Sequence, residues 1–515
     1  MDQTVKSILE AWGHVLPELV LLATAGVQFL LAPLLGSARG AAGAGLRHRY
    51  AALSLLAVGC ALWLWAGTMS SVLPAGLTSP APSSLLSGPF RLDALAWYLR
   101  GLSLATGAVL VLLCWNQFVE EEAGESHACL LLIVAGVNLV AAANDLVVLF
   151  LALELVSIPT YVLLFLLRRT AEGHEAVLKY FLLSVFSSAL LLYGLSLLYG
   201  AAGTTNLETI RVGLSSLAGG ALPLMMAVAL VAVVAGVGFR VTAVPFHFYA
   251  PDVFQGTQTC GAALLSIVPK LAGFAVLLRL VAVRPVTAAA VPLEFDLAGS
   301  LSPILWWLAV VTMCVGNVLA LWQTNVRRML AYSSVAHGGY LLVGLAVAHQ
   351  TGGLAEGVPA LLFYLAVYGF MTLGVFAVLI GLSAPDRPVE TVEDLAGAGR
   401  SRPGAALLMA IFLFSLTGLP PTAGFFGKLY LLLAAWSGGT FAARSLAVLL
   451  AVNAAIGAAY YLRLVGALYL RPAGQPVTIS TEGPALIGSL ICAVVTLTLF
   501  LCPQWLWQVV VRMEP

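Results

Sequence analysis

GVGFRVTAVPFHFYAPDVFQG, residues 236–256, decides how the rest of this chain is read. It sits in the middle of the seventh long apolar run, yet it holds Arg240, Pro245 and His247. Proline cannot donate to the helix and frees the carbonyls of the preceding turn. Lipid cannot satisfy those groups, so a broken helix survives in a bilayer only against protein or a watery cavity. A charge at the bilayer centre costs about 3 kcal/mol on insertion scales, and it stays where it has a partner or a task. A merely kinked bundle helix would keep the proline and have no need of the arginine. The stretch reads as part of an ion pathway.

Composition supports a membrane setting. The 515 residues are 61% hydrophobic and 9% charged, with a mean hydropathy of +1.00, whereas soluble domains carry about 25% charge. The fold class is therefore an all-α polytopic membrane protein in a lipid bilayer. A net charge of +1 speaks against a nucleic-acid partner. Seven cysteines are scattered with no CxxC pair, so neither a metal site nor an iron–sulfur cluster is expected. RGAAGAG at 39–45 follows an apolar run and not a strand, which makes a nucleotide-binding loop a poor reading. No Ser-His-Asp or paired-carboxylate hydrolytic pattern stands outside the apolar runs. Residues 16–35 already have spanning length with no cleavage motif after them, so the first run is expected to be an anchor, not a removed signal.

A crossing needs about 20 apolar residues. Such runs occupy 16–35, 49–73, 93–115, 126–143, 145–167, 175–200, 222–248, 256–284, 302–323, 327–347, 357–382, 404–434, 440–470 and 484–511, about 14 in all. Only Asn144-Asp145 divides the fourth from the fifth, and Pro420-Pro421 interrupts the twelfth. Fourteen crossings place both termini on one side. The loops opposite the termini carry eleven Lys and Arg, among them Arg39, Arg168, Arg169, Arg327, Arg328 and Arg387, against six on the terminal side. By the positive-inside rule both termini face outward. Pro245 and Pro420 are 175 residues apart, and the fourth and ninth runs start 176 apart. Five runs per unit is odd, so the second copy would be inverted, and paired interrupted helices in inverted halves point to a transporter's ion site. The expected divisions are 1–125, 126–284 (first repeat), 302–470 (inverted second repeat) and 484–515, with helices 7 and 12 broken.

Seven Lys and Arg fall inside the runs: Arg100, Lys179, Arg240, Lys270, Arg279, Lys428 and Arg463. Arg100, Arg279 and Arg463 lie near run ends and are expected to snorkel to the interface. The other four sit in longer apolar surroundings and are candidate path residues. Glu154, in FLALELVSIPTY, must pair or take up a proton, and Lys179 and Arg240 are its candidate partners. A structural ion pair fixing helix order is the plainer alternative. Lys270 follows Pro269, and burial disfavours the charged form of a lysine, which suits it to proton exchange. His247 titrates near neutrality and is expected between Arg240 and Lys270. In FSLTGLPPTAGFFGKLY, Lys428 follows a second break. In RRMLAYSSVAHGGYLLVGL, His337 is expected on a hydrated path, and Ser333 and Ser334 as helix-packing glue. His14, His48, His127, His174 and His349 read as interfacial.

At these residues the chain resembles the subunit N family of the proton-pumping NADH-quinone oxidoreductase, respiratory complex I. The matching stretches are LEL-x-S-x-P-x-Y at 153–161, EAVLKYFLLSVFSSALLLYG at 175–194, VPFHFYAPDVFQG at 244–256, QTNVRRMLAYSSVAHGGYLLVGL at 323–345 and LTGLPPTAGFFGKLY at 416–430. The resemblance implies fourteen spans, inverted five-helix repeats and proton translocation using Glu154, Lys179, Lys270 and Lys428, with His247 beside them. It implies other membrane-arm subunits as partners and residence in the inner (plasma) membrane. No cofactor is implied in this chain: NADH, FMN, iron–sulfur clusters and quinone are expected in partner subunits. The family usually carries lysine where Arg240 stands, and arginine keeps its proton. Multisubunit cation/proton antiporters and membrane hydrogenases share the core. The largest antiporter-like subunit adds a long amphipathic C-terminal helix, which an end at Met513-Glu514-Pro515 disfavours. A non-pumping structural subunit and a free-standing solute carrier are the readings from other classes.

Overall fold

The computed structural model describes residues 3–36, 45–68, 88–168, 170–210, 224–282, 297–348, 356–383, 389–472 and 483–513. The glycine-rich stretch at 39–44, Arg169, Arg211, Arg284, Arg387, His349 and the last two residues lie outside the described residues. Apolar runs too long and too rich in Leu and Ala for strands become helices. They are α1 (Gln3–Gly36), α2 (Leu46–Gly67), α3 (Ala94–Cys114), α4 (Ala123–Ala142), α5 (Leu146–Leu167), α6 (Ala171–Ala202), α7 (Leu224–Arg240), α8 (Ala250–Gly256) and α9 (Thr259–Leu277). There follow α10 (Leu297–Leu321), α11 (Val326–Ala346), α12 (Gly357–Leu382), α13 (Pro403–Thr417), α14 (Ala423–Ser437), α15 (Phe441–Leu470), α16 (Gly483–Leu501) and α17 (Pro503–Val511). Among the described residues, 12 helices are long and apolar enough to cross a membrane, and α7, α13 and α14 are shorter apolar helices.

The shorter helices fall where the prolines stand. The seventh run stops being helical at Arg240 and resumes as α8 at Ala250, and the twelfth is divided between Thr417 and Ala423. Asn144-Asp145 does end one helix and begin another: Asp145 caps α5 by accepting the Val147 amide at 2.8 Å. The last run differs from its single-helix expectation. Pro503 starts a second helix, α17, after the single intervening residue Cys502, because proline suits the first helical turn, where its missing N–H is no loss. The eighth run likewise closes in a wider π turn, Leu278–Ala282.

Helices α9, α11 and α12 form the buried axis, as expected for helices that are apolar on every side. Small residues bring the surrounding helices close. A Cβ added at Gly236 of α7 would lie 2.7 Å from the Leu191 amide of α6, and one at Gly339 of α11 would lie 2.6 Å from the Met313 amide of α10.

Two expectations about charge are corrected. Arg100 and Arg279 do not snorkel; both are 3% exposed. Arg279 holds Asp93 with two bonds, at 2.6 and 2.7 Å, and also donates to the Ala141 carbonyl. Arg100 holds Glu18 with two bonds at 2.7 Å. Arg463 donates to the Leu321 carbonyl at 3.1 Å, so it too is spent on protein. His127, expected at the interface, is fully buried, edge-on to Phe118. Arg100, Arg279 and Arg463 are met by groups on neighbouring helices, whereas neither ring nitrogen of His127 has a hydrogen-bond partner among the described residues.

Candidate functional site

The first break is built around Arg240, the last residue of α7. Beyond it Thr242 takes a positive φ of 58°, a conformation uncommon outside glycine. The freed backbone is satisfied by side chains: Tyr249 donates to the Phe239 carbonyl at 3.1 Å, and Thr312 accepts the Val244 amide at 3.0 Å. Arg240 is 4% exposed. Its Nη1 donates to Ser157 Oγ at 2.7 Å, while Nη2 lies 3.5 Å from both Ser188 Oγ and Glu154 Oε1. Ser188 donates to Glu154 at 2.6 Å. The ion pair is thus loose and bridged by a hydroxyl, not a two-bond fork.

Of the two partners expected for Glu154, the structure supplies Arg240. Lys179 stands near the start of α6, where its Nζ is 2.8 Å from Glu175 and 2.8 Å from Asp252. Asp252 is also held by Arg328 at 2.7 Å. Burial works to raise the Asp252 carboxyl, but Lys179 and Arg328 outweigh it and hold it below the usual carboxylate range. A depressed carboxyl contributes its stabilisation above the ordinary value of about 3.9 and loses it only as pH falls through the lowered one. The cluster is therefore intact at neutral pH.

The central site joins α9, α11, α12 and α15. Lys270 Nζ, fully buried, donates to Ser334 Oγ at 2.5 Å, and Tyr368 donates to the same oxygen at 2.9 Å. His337 bonds Tyr364 Oη through Nδ1 at 2.6 Å and Tyr461 Oη through Nε2 at 2.9 Å. Ser333 bonds Tyr461 as well. Both serines make the cross-helix hydrogen bonds expected of helix-packing residues. The ring of Tyr368 lies 5.0 Å from that of His337 and the ring of Tyr340 5.4 Å away, edge-on. Asn317 holds the Tyr340 hydroxyl at 2.8 Å.

At the second break Gly418 ends α13 with a φ of 87°, which only glycine adopts without strain. Lys428 reaches back from α14 to the Leu416 and Thr417 carbonyls at 2.8 and 2.9 Å. Those are groups a helix end leaves without partners, at the negative end of its dipole. Its ammonium is also 5.0 Å from the Tyr340 ring. Lys270, His337 and Lys428 are thereby strung on one buried line of hydroxyls and rings. His247 is half-buried within the first break, and among the described residues no hydrogen bond joins it to Arg240 or Lys270.

Sequence reasoning passed over the tyrosines. Tyr364 and Tyr368, one turn apart in the apolar α12, and the Tyr460-Tyr461 pair of α15 were the available signal, since a buried tyrosine needs a partner for its hydroxyl. Among the described residues no group of three His, Cys, Asp or Glu is placed to hold a metal ion.

A sequence profile described as NADH:quinone oxidoreductase/Mrp antiporter, transmembrane, matches residues 143–454, a stretch that contains both breaks. NADH-quinone oxidoreductase subunit N of Trichlorobacter lovleyi is 42% identical over 391 residues, 76% of this chain and 77% of that protein. The chain belongs to the NADH-quinone oxidoreductase subunit N family. A second family member, NADH-quinone oxidoreductase subunit N 1 of Solibacter usitatus, is 35% identical over 499 residues, 96% of this chain and 95% of its own. A chain in the structure of respiratory complex I from Thermus thermophilus with bound aureothin superposes with a TM-score of 0.74 at 30% identity, covering 95% of this chain and 98% of that one. For this member of the subunit N family, the cation at the first break is one that keeps its proton, while those at α9 and α14 are lysines.

Proposed function

We propose that the chain is a proton-translocating membrane-arm subunit of NADH-quinone oxidoreductase, driven by quinone reduction in other subunits. The observation that carries this reading is the buried polar line from Lys270 through Ser334, Tyr368 and His337 to Lys428. Buried polar groups of that kind are costly unless they serve each other or a function. Glu154 takes and releases a proton under the influence of Arg240, whose fixed charge favours the carboxylate when near. Lys270, His337 and Lys428 pass protons along the midplane, with His247 and Lys179 at its margins. Electron transfer, with NADH, FMN, iron–sulfur clusters and quinone, belongs to partner subunits in this reading. Fourteen crossings, inverted repeats bounded at 126–284 and 302–470, and both termini on the outer face of an inner membrane complete it.

The test is purification in mild detergent followed by reconstitution in vesicles. The chain should copurify with other membrane and peripheral subunits, and the vesicles should acidify when NADH is supplied. An active isolated chain that exchanges ions unaided contradicts the reading. Because the matching profile spans Mrp antiporters as well, a cation/proton antiporter assembly is the second reading. A sodium-dependent pH change without NADH would favour it.

A further inference from the structure

A fully buried asparagine, Asn317 of α10, stands beside the polar line without belonging to it. Its side-chain amide has two protons to give. The shorter contacts are to the Tyr340 hydroxyl of α11 at 2.8 Å and to the Met313 carbonyl of its own helix at 2.9 Å. Asn453 Oδ1 of α15 is a longer contact at 3.2 Å, and Tyr460 donates to Asn317 Oδ1 at 3.1 Å. The backbone beneath it is closely confined. A Cβ added at Gly316 would lie 2.6 Å from the Ala336 amide of α11, so α10 and α11 meet backbone to backbone at this level.

What the amide holds is a ring that touches two members of the line. The Tyr340 ring lies 5.4 Å from the His337 imidazole, at 90° to it, and 5.0 Å from the Lys428 ammonium. An aromatic face attracts a cation, more strongly where water is excluded, and Tyr340 is 1% exposed. Both ring nitrogens of His337 are engaged by Tyr364 and Tyr461, and Lys428 is held by the Leu416 and Thr417 carbonyls. Among the described residues no hydrogen bond joins His337 to Lys428, whereas Tyr340 touches both. A buried hydroxyl that loses its partner is costly. Without Asn317 the Tyr340 ring would turn to find another, and Lys428 would lose the surface it rests on.

We infer that Asn317 is a positioning residue: by holding the Tyr340 hydroxyl it fixes the ring that sets the Lys428 ammonium relative to His337. The inference rests on the reading of His337 and Lys428 as members of a proton path. Neither Asn317 nor Tyr340 gives up a proton in this role. A misplacement of about 1 Å can slow a reaction step about 100-fold, and His337 and Lys428 have no hydrogen bond of their own to absorb one. The Met313 bond ties the asparagine to its own helix, four residues on, so the amide presented to Tyr340 is a fixed point and not a loose arm.

The test measures protons moved per electron transferred by the whole complex in vesicles. Asn317→Leu and Tyr340→Phe cut the same bond from opposite ends with little change of volume. Asn453→Leu makes the same polar-to-apolar change one contact away: Asn453 is 1% exposed, and among the described residues no bond joins it to Tyr340. The expected result is an assembled complex in which Asn317→Leu and Tyr340→Phe lower the ratio to the same value, the double variant goes no lower, and Asn453→Leu keeps the wild-type ratio. Where Asn317→Leu does not assemble, the smaller Asn317→Ala takes its place. Three results overturn the positioning role, each read beside a lowered ratio in Lys428→Gln: a normal ratio in the Asn317 variant, an equal loss in Asn453→Leu, or a double variant lower than either single one. A normal ratio in Lys428→Gln overturns the underlying reading of the path instead.

Discussion

Arg240 carries the largest consequence of any single residue. It donates to Ser157 and stands 3.5 Å from Glu154, with Ser188 between. In the proposed reading its role needs a positive charge and no proton transfer, so Arg240→Lys should preserve pumping and Arg240→Gln should abolish it, read as vesicle acidification with electron transfer intact. Normal acidification in the Gln variant would reduce the position to a scaffold contact. Asp93 gives a contrasting case. Removing one partner of a buried pair leaves an uncompensated charge and costs about 3–5 kcal/mol. Asp93→Ala should therefore lower the thermal stability of the complex through Arg279, while pumping in the surviving fraction is normal. The sequence announced which residues are charged within apolar runs, and Glu154, Lys270 and Lys428 are where that signal pointed. It did not announce their partners. Lys179 turned to Asp252 and Arg279 to Asp93, because partner choice depends on how each helix is rotated against its neighbours, and composition carries no trace of that.

At the scale of elements, proline marked the breaks by removing a backbone donor, but it does not suffice by itself, since Pro159, Pro269 and Pro303 lie inside α5, α9 and α10. Pro503 carries the same signal at the end of the chain, but its surroundings are apolar throughout, so the run reads as continuous in the sequence. What the sequence hid is how a break is sealed. Gly338 of α11 abuts the first break: a Cβ there would lie 2.6 Å from the Val241 carbonyl and 3.6 Å from Lys270 Cε. Gly338→Val should therefore displace the break and lower both stability and pumping. Gly381→Val is the control, since no atom lies within 4 Å of a Cβ at that site; thermal unfolding of the two variant complexes should differ clearly. Lys428 seals the second break from the far side by binding Leu416 and Thr417 carbonyls. That gives it a structural task beside any part in proton movement, so charge-retaining Lys428→Arg should assemble better than Lys428→Ala.

Across the whole molecule, α9, α11 and α12 bury nearly every side chain and bring Lys270, His337 and the tyrosines onto one line. The helices at the margin leave large apolar residues such as Leu151, Leu182, Trp307 and Val494 exposed, as surfaces that face lipid or partner subunits do. Fold class and the rough helix order followed from hydropathy alone. The polar line did not, since it is assembled from side chains of five helices, α9, α11, α12, α14 and α15. The central claim is that this line conducts protons between the breaks. His337 is its midpoint, bonded to Tyr364 and Tyr461, and His337→Phe with Tyr461→Phe interrupts it while nearly conserving volume. The deciding measurement is protons moved per electron by the reconstituted complex bearing that double substitution. The account predicts an assembled complex that still oxidises NADH but moves fewer protons per electron; an unchanged ratio would contradict it.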